Sequence, residues 1–309
     1  MGTDHKIWGG KEMLQRRTDL AVEEKVLREG AGALSGVESC EREREGFLVT
    51  EIRVLSPSGA LALGKPMGRY VTLEMSPLKR REPDAFGRGA RAVREEVSRL
   101  LNLKEGARVL VVGLGNRAIT PDAVGPLAVR HTLATRHLVE QMPDRFGDFR
   151  SVCAVAADVL GNTGVESGEL VSALCARLRP DAVIAIDALA SRALSRVCTT
   201  IQIADTGIVP GSGVGNARAA LNEGSLGIPV VAVGVPTVVD GATLCADILE
   251  EAGKGELDPE SLRCAGGEVF VTPRDIDERV ADLSKVIGYG ITLALQPHLN
   301  IEDLQQLLE

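Results

Sequence analysis

The 309-residue sequence is poor in aromatic side chains, histidine and positive charge, and its cysteines are unpaired in spacing. Aromatics make up only 3% of the chain, too few for the stacking platforms that hold single-stranded nucleic acid. Lys and Arg number 35 against 43 Asp and Glu, a net charge of −8 that disfavours a phosphate-backbone partner. The four histidines (His5, His131, His137, His298) leave little material for a Ser–His or Cys–His nucleophile. His131 and His137, six apart on the helix expected after Asp122, face different ways and form no ligand pair. The six cysteines (Cys40, Cys153, Cys175, Cys198, Cys245, Cys264) form no CxxC pair, which argues against zinc sites and a disulfide framework and fits a reducing cytoplasm. No apolar run reaches the roughly 18 to 20 residues that span a bilayer, and Met1 to Gly10 lacks the apolar core of a signal peptide. The expectation is a cytoplasmic protein with no membrane or nucleic-acid partner, no metal and no cofactor.

What is present is glycine, proline and regular alternation: 34 Gly, 14 Pro and 44% hydrophobic residues. Residues 1–45 carry mixed charge with little periodicity and read as an N-terminal arm. Residues 46–76 read as a small antiparallel β addition: strands at Phe47 to Leu55 and Arg69 to Met75, with Pro57-Ser-Gly59 as a turn. Phe86, Ala90, Val93, Val97 and Leu100 mark an amphipathic helix. Apolar strands then alternate with helical stretches: Ala107 to Gly113, Val152 to Val159, Ala182 to Ile186, Thr199 to Ile203 and Pro229 to Val235. A short strand at Glu268 to Val271 precedes a helix expected to begin with Thr272 as N-cap and Pro273 in its first turn. This pattern predicts an α/β fold, a mostly parallel sheet with helices on both faces.

Ligands of such sheets collect at the carboxyl ends of the strands. The residues expected there are aspartates: Asp122, Asp158, Asp187, Asp205 and Asp240. Read singly, each is an ordinary helix cap or turn acid. Two of them brought together, however, would share one proton, and such a pair hydrolyses a peptide bond unaided by a metal. Gly113-Leu-Gly115-Asn116 opens like a dinucleotide-binding turn, but Ala118 breaks that pattern and the turn reads as a tight one needing glycine.

Long blocks resemble the germination protease family of spore-forming bacteria. They are Gly113-Leu-Gly-Asn116 with Thr120-Pro-Asp-Ala-Val-Gly-Pro126, Ala185-Ile-Asp-Ala-Leu-Ala190, Ile201 to Ile208, Pro210-Gly-Ser-Gly-Val-Gly-Asn216 and Gly234 to Asp240. Gly68 to Glu74, Arg17 to Glu23 and Val271-Thr-Pro273 extend the match over nearly the whole chain. The resemblance implies an atypical aspartic endopeptidase, related in fold to hydrogenase-maturation proteases, with Asp122 and Asp187 as the catalytic pair. It further implies a homotetrameric zymogen that removes its own propeptide and degrades small acid-soluble spore proteins in the spore core.

On that reading residues 1–19 are the propeptide, residues 20–309 form one peptidase domain, and processing falls between Asp19 and Leu20. Gly113, Gly115, Asn116, Asp158, Gly211, Ser212 and Gly213 are expected to line the substrate cleft, the glycines keeping its floor clear. The chain departs from the family at Ala157-Asp158, where Pro-Gly is usual, at Val209 in place of a common His, and in a short stretch from Glu250 to Gly267. Two other readings stand beside this one: a metal-dependent maturation-type protease, and a non-catalytic binding domain whose aspartates are only caps.

Overall fold

Alternate residues of the central strands feed two different cores, which is why helices cover both faces of the sheet. In the computed structural model, residues 17–29, 34–215, 218–253, 259, 261–262 and 268–308 are described. Strands β1 to β9 run over Val37–Arg44, Phe47–Val54, Gly68–Glu74, Val109–Leu114, Val152–Asp158, Ala182–Ser191, Thr200–Ala204, Val230–Asp240 and Phe270–Val271. Val109 and Val111 of β4, with Ile184 and Ile186 of β6, pack under the helices Ala85–Leu101 and Ile276–Leu295. Leu110 and Val112, with Val183 and Ala185, face the other way, toward Val171 of the helix Ser167–Leu178. Side chains alternating at a period of two on strands buried on both faces give this near-continuous apolar run.

The sheet order is β1-β2-β3-β7-β8-β6-β4-β5, with β9 on β8. Strands β5, β4, β6 and β8 are mutually parallel. The antiparallel part is larger than the strand pattern alone suggests. β7 runs antiparallel to β8 and joins β3, so the β1–β3 unit continues the same sheet. That unit begins at Val37, inside the stretch read as an arm, and the helix Ala21–Glu29 precedes it.

Several local expectations change. Pro57-Ser-Gly59 opens the helix Pro57–Leu63, because Ser56 caps it by accepting the Gly59 N–H at 3.1 Å. Thr272 is no N-cap: its hydroxyl donates to the Thr237 carbonyl at 2.9 Å, and the helix starts at Ile276. His131 ends the helix Val124–Arg130 and His137 lies in a separate one, Arg136–Gln141. β6 runs on past Asp187 to Ser191, with a register shift between Leu189 and Ala190. No helix among the described residues is long and apolar enough to cross a membrane.

Candidate active site

The connection leaving β4 leads to β5 on one side, whereas the one leaving β6 leads to β7 on the other. Between β4 and β6 the chain therefore reverses direction, the place where α/β sheets open a crevice. Asp122 and Asp187 both stand there.

Asp122 is carried by the short helical turn Thr120–Asp122, with Pro121 in its first turn, where a missing N–H costs nothing. Three glycines let this segment press on the strands. A Cβ on Gly113 would lie 2.2 Å from the Gly125 carbonyl oxygen, and one on Gly125 would lie 2.3 Å from that of Leu114 and 2.5 Å from that of Ile186. Gly115, at φ +100°, would place a Cβ 2.1 Å from the Asp122 carbonyl oxygen. The glycines thus hold the turn of Asp122 against β4 and β6. Gly113 is buried behind the cleft and does not line it, contrary to the reading that it clears the floor for substrate. Gly125, which the sequence reading passed over, matters as much. The Asn116 N–H donates to Asp122 Oδ2 at 2.6 Å, so Asn116 orients the carboxylate from behind the cleft wall.

Asp187 sits within β6, opposite Gly234 of β8, and only 5% of it is exposed. Its side chain accepts from the Ala188 N–H, 2.9 Å to Oδ1, with no other side-chain hydrogen bond among the described residues. Burial raises its pKa well above the usual carboxylate range; the Asp122 charge and then that of Asp19 add to the rise, against the opposing Ala188 N–H. Burial also raises Asp122, helped by the Asp158 charge and opposed by the Asn116 N–H. Neither carboxyl has a cationic partner among the described residues.

A cleft of about 470 Å³ opens over the pair. Its walls are largely apolar: Leu114, Ile119, Leu160, Leu189, Val209 and Phe270 line it, with Gly211, Ser212 and Gly213 along one side. Across its mouth lies the N-terminal segment. The Asp19 N–H donates to the Ala190 carbonyl at 2.9 Å, and its Oδ2 accepts from the Ala190 N–H at 2.9 Å. Its Oδ1 accepts from the Ser212 hydroxyl at 2.7 Å, and a Cβ on Gly213 would meet Oδ2 at 2.0 Å. The Asp19 carbonyl accepts from Lys65 Nζ at 3.0 Å and Gln202 Nε2 at 3.1 Å, and Leu20 is wholly buried. The segment is docked, not the exposed arm that the charge pattern suggests. Its side-chain anchoring came from no sequence signal, nor did the Arg218–Glu166 ion pair in the wall, at 2.6 Å.

The other strand-end aspartates serve the fold. Asp240 caps the helix Gly241–Glu251, accepting from the Thr243 N–H and hydroxyl at 2.9 and 2.7 Å. Asp205 binds Arg69 Nε at 2.8 Å. Because β7 is antiparallel, Asp205 lies at the other end of the sheet, away from the cleft. Asp158, expected in the cleft, is not among its lining residues. At φ +58° its Oδ1 accepts from the Val159 N–H and Asn162 Nδ2, at 2.8 and 2.9 Å, and it acts on Asp122 only through its charge. No described histidine lines the cleft, and no group of three or more His, Cys, Asp or Glu among the described residues could hold a metal ion. His5 and residues 1–16 lie outside the described residues, as do Asn216, Cys264 and much of the stretch from Glu250 to Gly267.

The sequence profile of the germination protease family matches residues 14–250. The chain belongs to the germination protease family. It is a hydrolase, an endopeptidase of spore germination, as the resemblance implies. The germination protease of Clostridium perfringens is 42% identical over 96% of this chain and 100% of its own length. That of Caldanaerobacter subterraneus subsp. tengcongensis is 43% identical over 94% and 98%, and that of Bacillus cytotoxicus 35% over 92% and 94%. Among solved structures, a [NiFe] hydrogenase maturation protease, HycI, from Thermococcus kodakarensis aligns with 63% of this chain and 98% of its own, at 17% identity and a TM-score of 0.35. Asp158, at φ +58°, adopts a left-handed conformation that glycine takes without strain.

Proposed function

We propose that Asp122 and Asp187 are the catalytic dyad of this germination protease and share a single proton. The observation that carries the reading is a buried carboxyl, Asp187, and a half-buried one, Asp122, at the switch point of the sheet, both raised by burial and neither paired with a cation among the described residues. Two such groups cannot both ionise cheaply, so the more buried one, Asp187, keeps the proton. Asp122, held charged by the Asn116 N–H, takes a proton from water as its oxygen attacks the substrate carbonyl carbon. Asp187 gives its proton to the carbonyl oxygen. In the second half Asp122 passes its proton to the amide nitrogen, the C–N bond breaks, and Asp187 recovers a proton from the collapsing diol.

On the same proposal the chain is a homotetrameric zymogen of the spore core, with small acid-soluble spore proteins as substrates and self-cleavage between Asp19 and Leu20. The docked segment supports the inhibitory part of this reading. Asp19 occupies the rim beside Ala190 and Ser212, and its carboxylate adds to the negative potential on Asp187. The buried Leu20 means that cleavage acts on a bond already held in place, its carbonyl engaged by Lys65 and Gln202. Incubation at mildly acid pH followed by mass spectrometry tests it. The expected product begins at Leu20 in the wild type and is absent in Asp122→Asn and Asp187→Asn. A chain that digests spore protein at full length and never shortens would overturn the zymogen reading. Full activity in either folded variant would overturn the dyad.

A further inference from the structure

A second cavity, of about 300 Å³, opens at the start of β4 and β5, the opposite end of the parallel strands from the dyad. Four arginines from three places in the fold line it. Arg108 immediately precedes β4, Arg136 begins the helix Arg136–Gln141, Arg177 lies in the last turn of the helix Ser167–Leu178, and Arg179 caps that helix. In a chain of net charge −8 this is a local reversal of sign.

The carboxylates nearby do not neutralise it. Glu140 in the lining pairs with Arg136 at 2.9 Å, and Asp181 beside it pairs with Arg108 at 3.4 Å. Arg177 and Arg179 have neither a hydrogen bond nor an ion pair from their side chains among the described residues. Compensation of a helix C-terminus would explain Arg177 alone. It does not explain why Arg108, Arg136 and Arg179 surround the same hollow. Arg179 stands there as the helix C-cap, at φ +50°, with its N–H donating to the Cys175 carbonyl at 2.9 Å.

We propose that this cavity binds a small anion carrying two or more phosphate groups. Guanidinium groups are planar forks matched to phosphate oxygens, and several at once favour a multivalent anion over a monovalent one. A hollow of this size takes a linked pair or triplet of phosphates. The chain's net charge of −8 disfavours a nucleic-acid backbone as the occupant. The site shares no lining residue with the catalytic cleft, so occupant and substrate bind at once.

Isothermal titration of the full-length chain with inorganic pyrophosphate tests the proposal. One saturable site is expected, with acetate and sulfate binding far more weakly. Arg177→Gln/Arg179→Gln should weaken binding roughly tenfold or more, since it removes two charge-assisted contacts. Asp187→Asn should leave the binding unchanged, which separates this site from the cleft. Should the double variant not fold, Arg136→Gln provides the same comparison. Absence of saturable binding, or equal binding by wild type and the arginine variants, would overturn the proposal.

Discussion

Two groups of buried carboxylates in this protein meet opposite fates. On the antiparallel side, Glu51 of β2 and Glu96 of the Ala85–Leu101 helix have side chains only 8% and 1% exposed. Arg42 reaches both, at 2.8 and 2.7 Å, and Arg99 reaches both as well, at 2.9 and 2.8 Å. Burial pushes the Glu51 carboxyl up, but the hydrogen bonds and charges of Arg99 and Arg42 together hold it below its ordinary value. At the switch point the same burial acts on Asp122 and Asp187 with only backbone N–H groups in opposition, and both move up. A carboxylate fixed in charge by arginine cannot donate a proton, whereas one left without a cation can hold and release it.

The largest expected effect of breaking this contrast is at the dyad. Asp122→Asn or Asp187→Asn should lower kcat/KM by about 1,000-fold or more, and the double variant should be little worse than either alone, since the two act as a unit. Peptide hydrolysis assays on folded variants check it, and additive losses would count against a shared proton. The next effect is on stability. Glu96→Gln leaves Arg42 and Arg99 with Glu51 as their remaining carboxylate and should cost roughly 1–2 kcal/mol in urea unfolding. That is below the figure for a fully buried pair, because the arginines remain 24% and 34% exposed.

The contrast sharpens on the pH axis. Asp187 has a raised pKa in the fold, so its ionisable form weighs against folding once the unfolded chain, near 3.8, has lost its proton. Asp187→Asn should therefore raise Tm at neutral pH by a few degrees, and the gain should fade below pH 3.8. Glu51, lowered in the fold, behaves oppositely. Glu51→Gln should lower Tm at neutral pH, a loss that fades as pH falls below 4.5. Thermal melts of both variants from neutral to acid pH should give differences of opposite sign. Equal signs would mean that Asp187 has a hidden cationic partner.

The smallest effect concerns Asp158. Replacing it with glycine relieves a left-handed backbone but removes the acceptor for Val159 and Asn162, so stability should change by less than about 1 kcal/mol. Loss of its charge should lower the Asp122 pKa and move the acid limb of the pH–rate profile to lower pH. An unmoved limb would mean that Asp158 is screened from the dyad.

The sequence by itself determined the central strands and the Ala85–Leu101 helix, and its resemblance pointed to Asp122 and Asp187 among the strand-end aspartates. Unbroken apolar strands with turn residues between them allow few folds, and the long specific blocks name the family. Only the tertiary structure shows that Asp122 and Asp187 line one cleft while Asp158, Asp205 and Asp240 do not. All five occupy similar places after strands in the sequence, but β7 runs antiparallel and carries Asp205 to the far end, while Asp240 turns back as a cap. Strand direction depends on pairing between residues far apart in the chain, such as Gln202 with Gly234, which no local pattern records. The same holds for Asp19 and the four-arginine cavity: a docked segment and a convergence of side chains from separate elements exist only once the sheet has brought distant residues together.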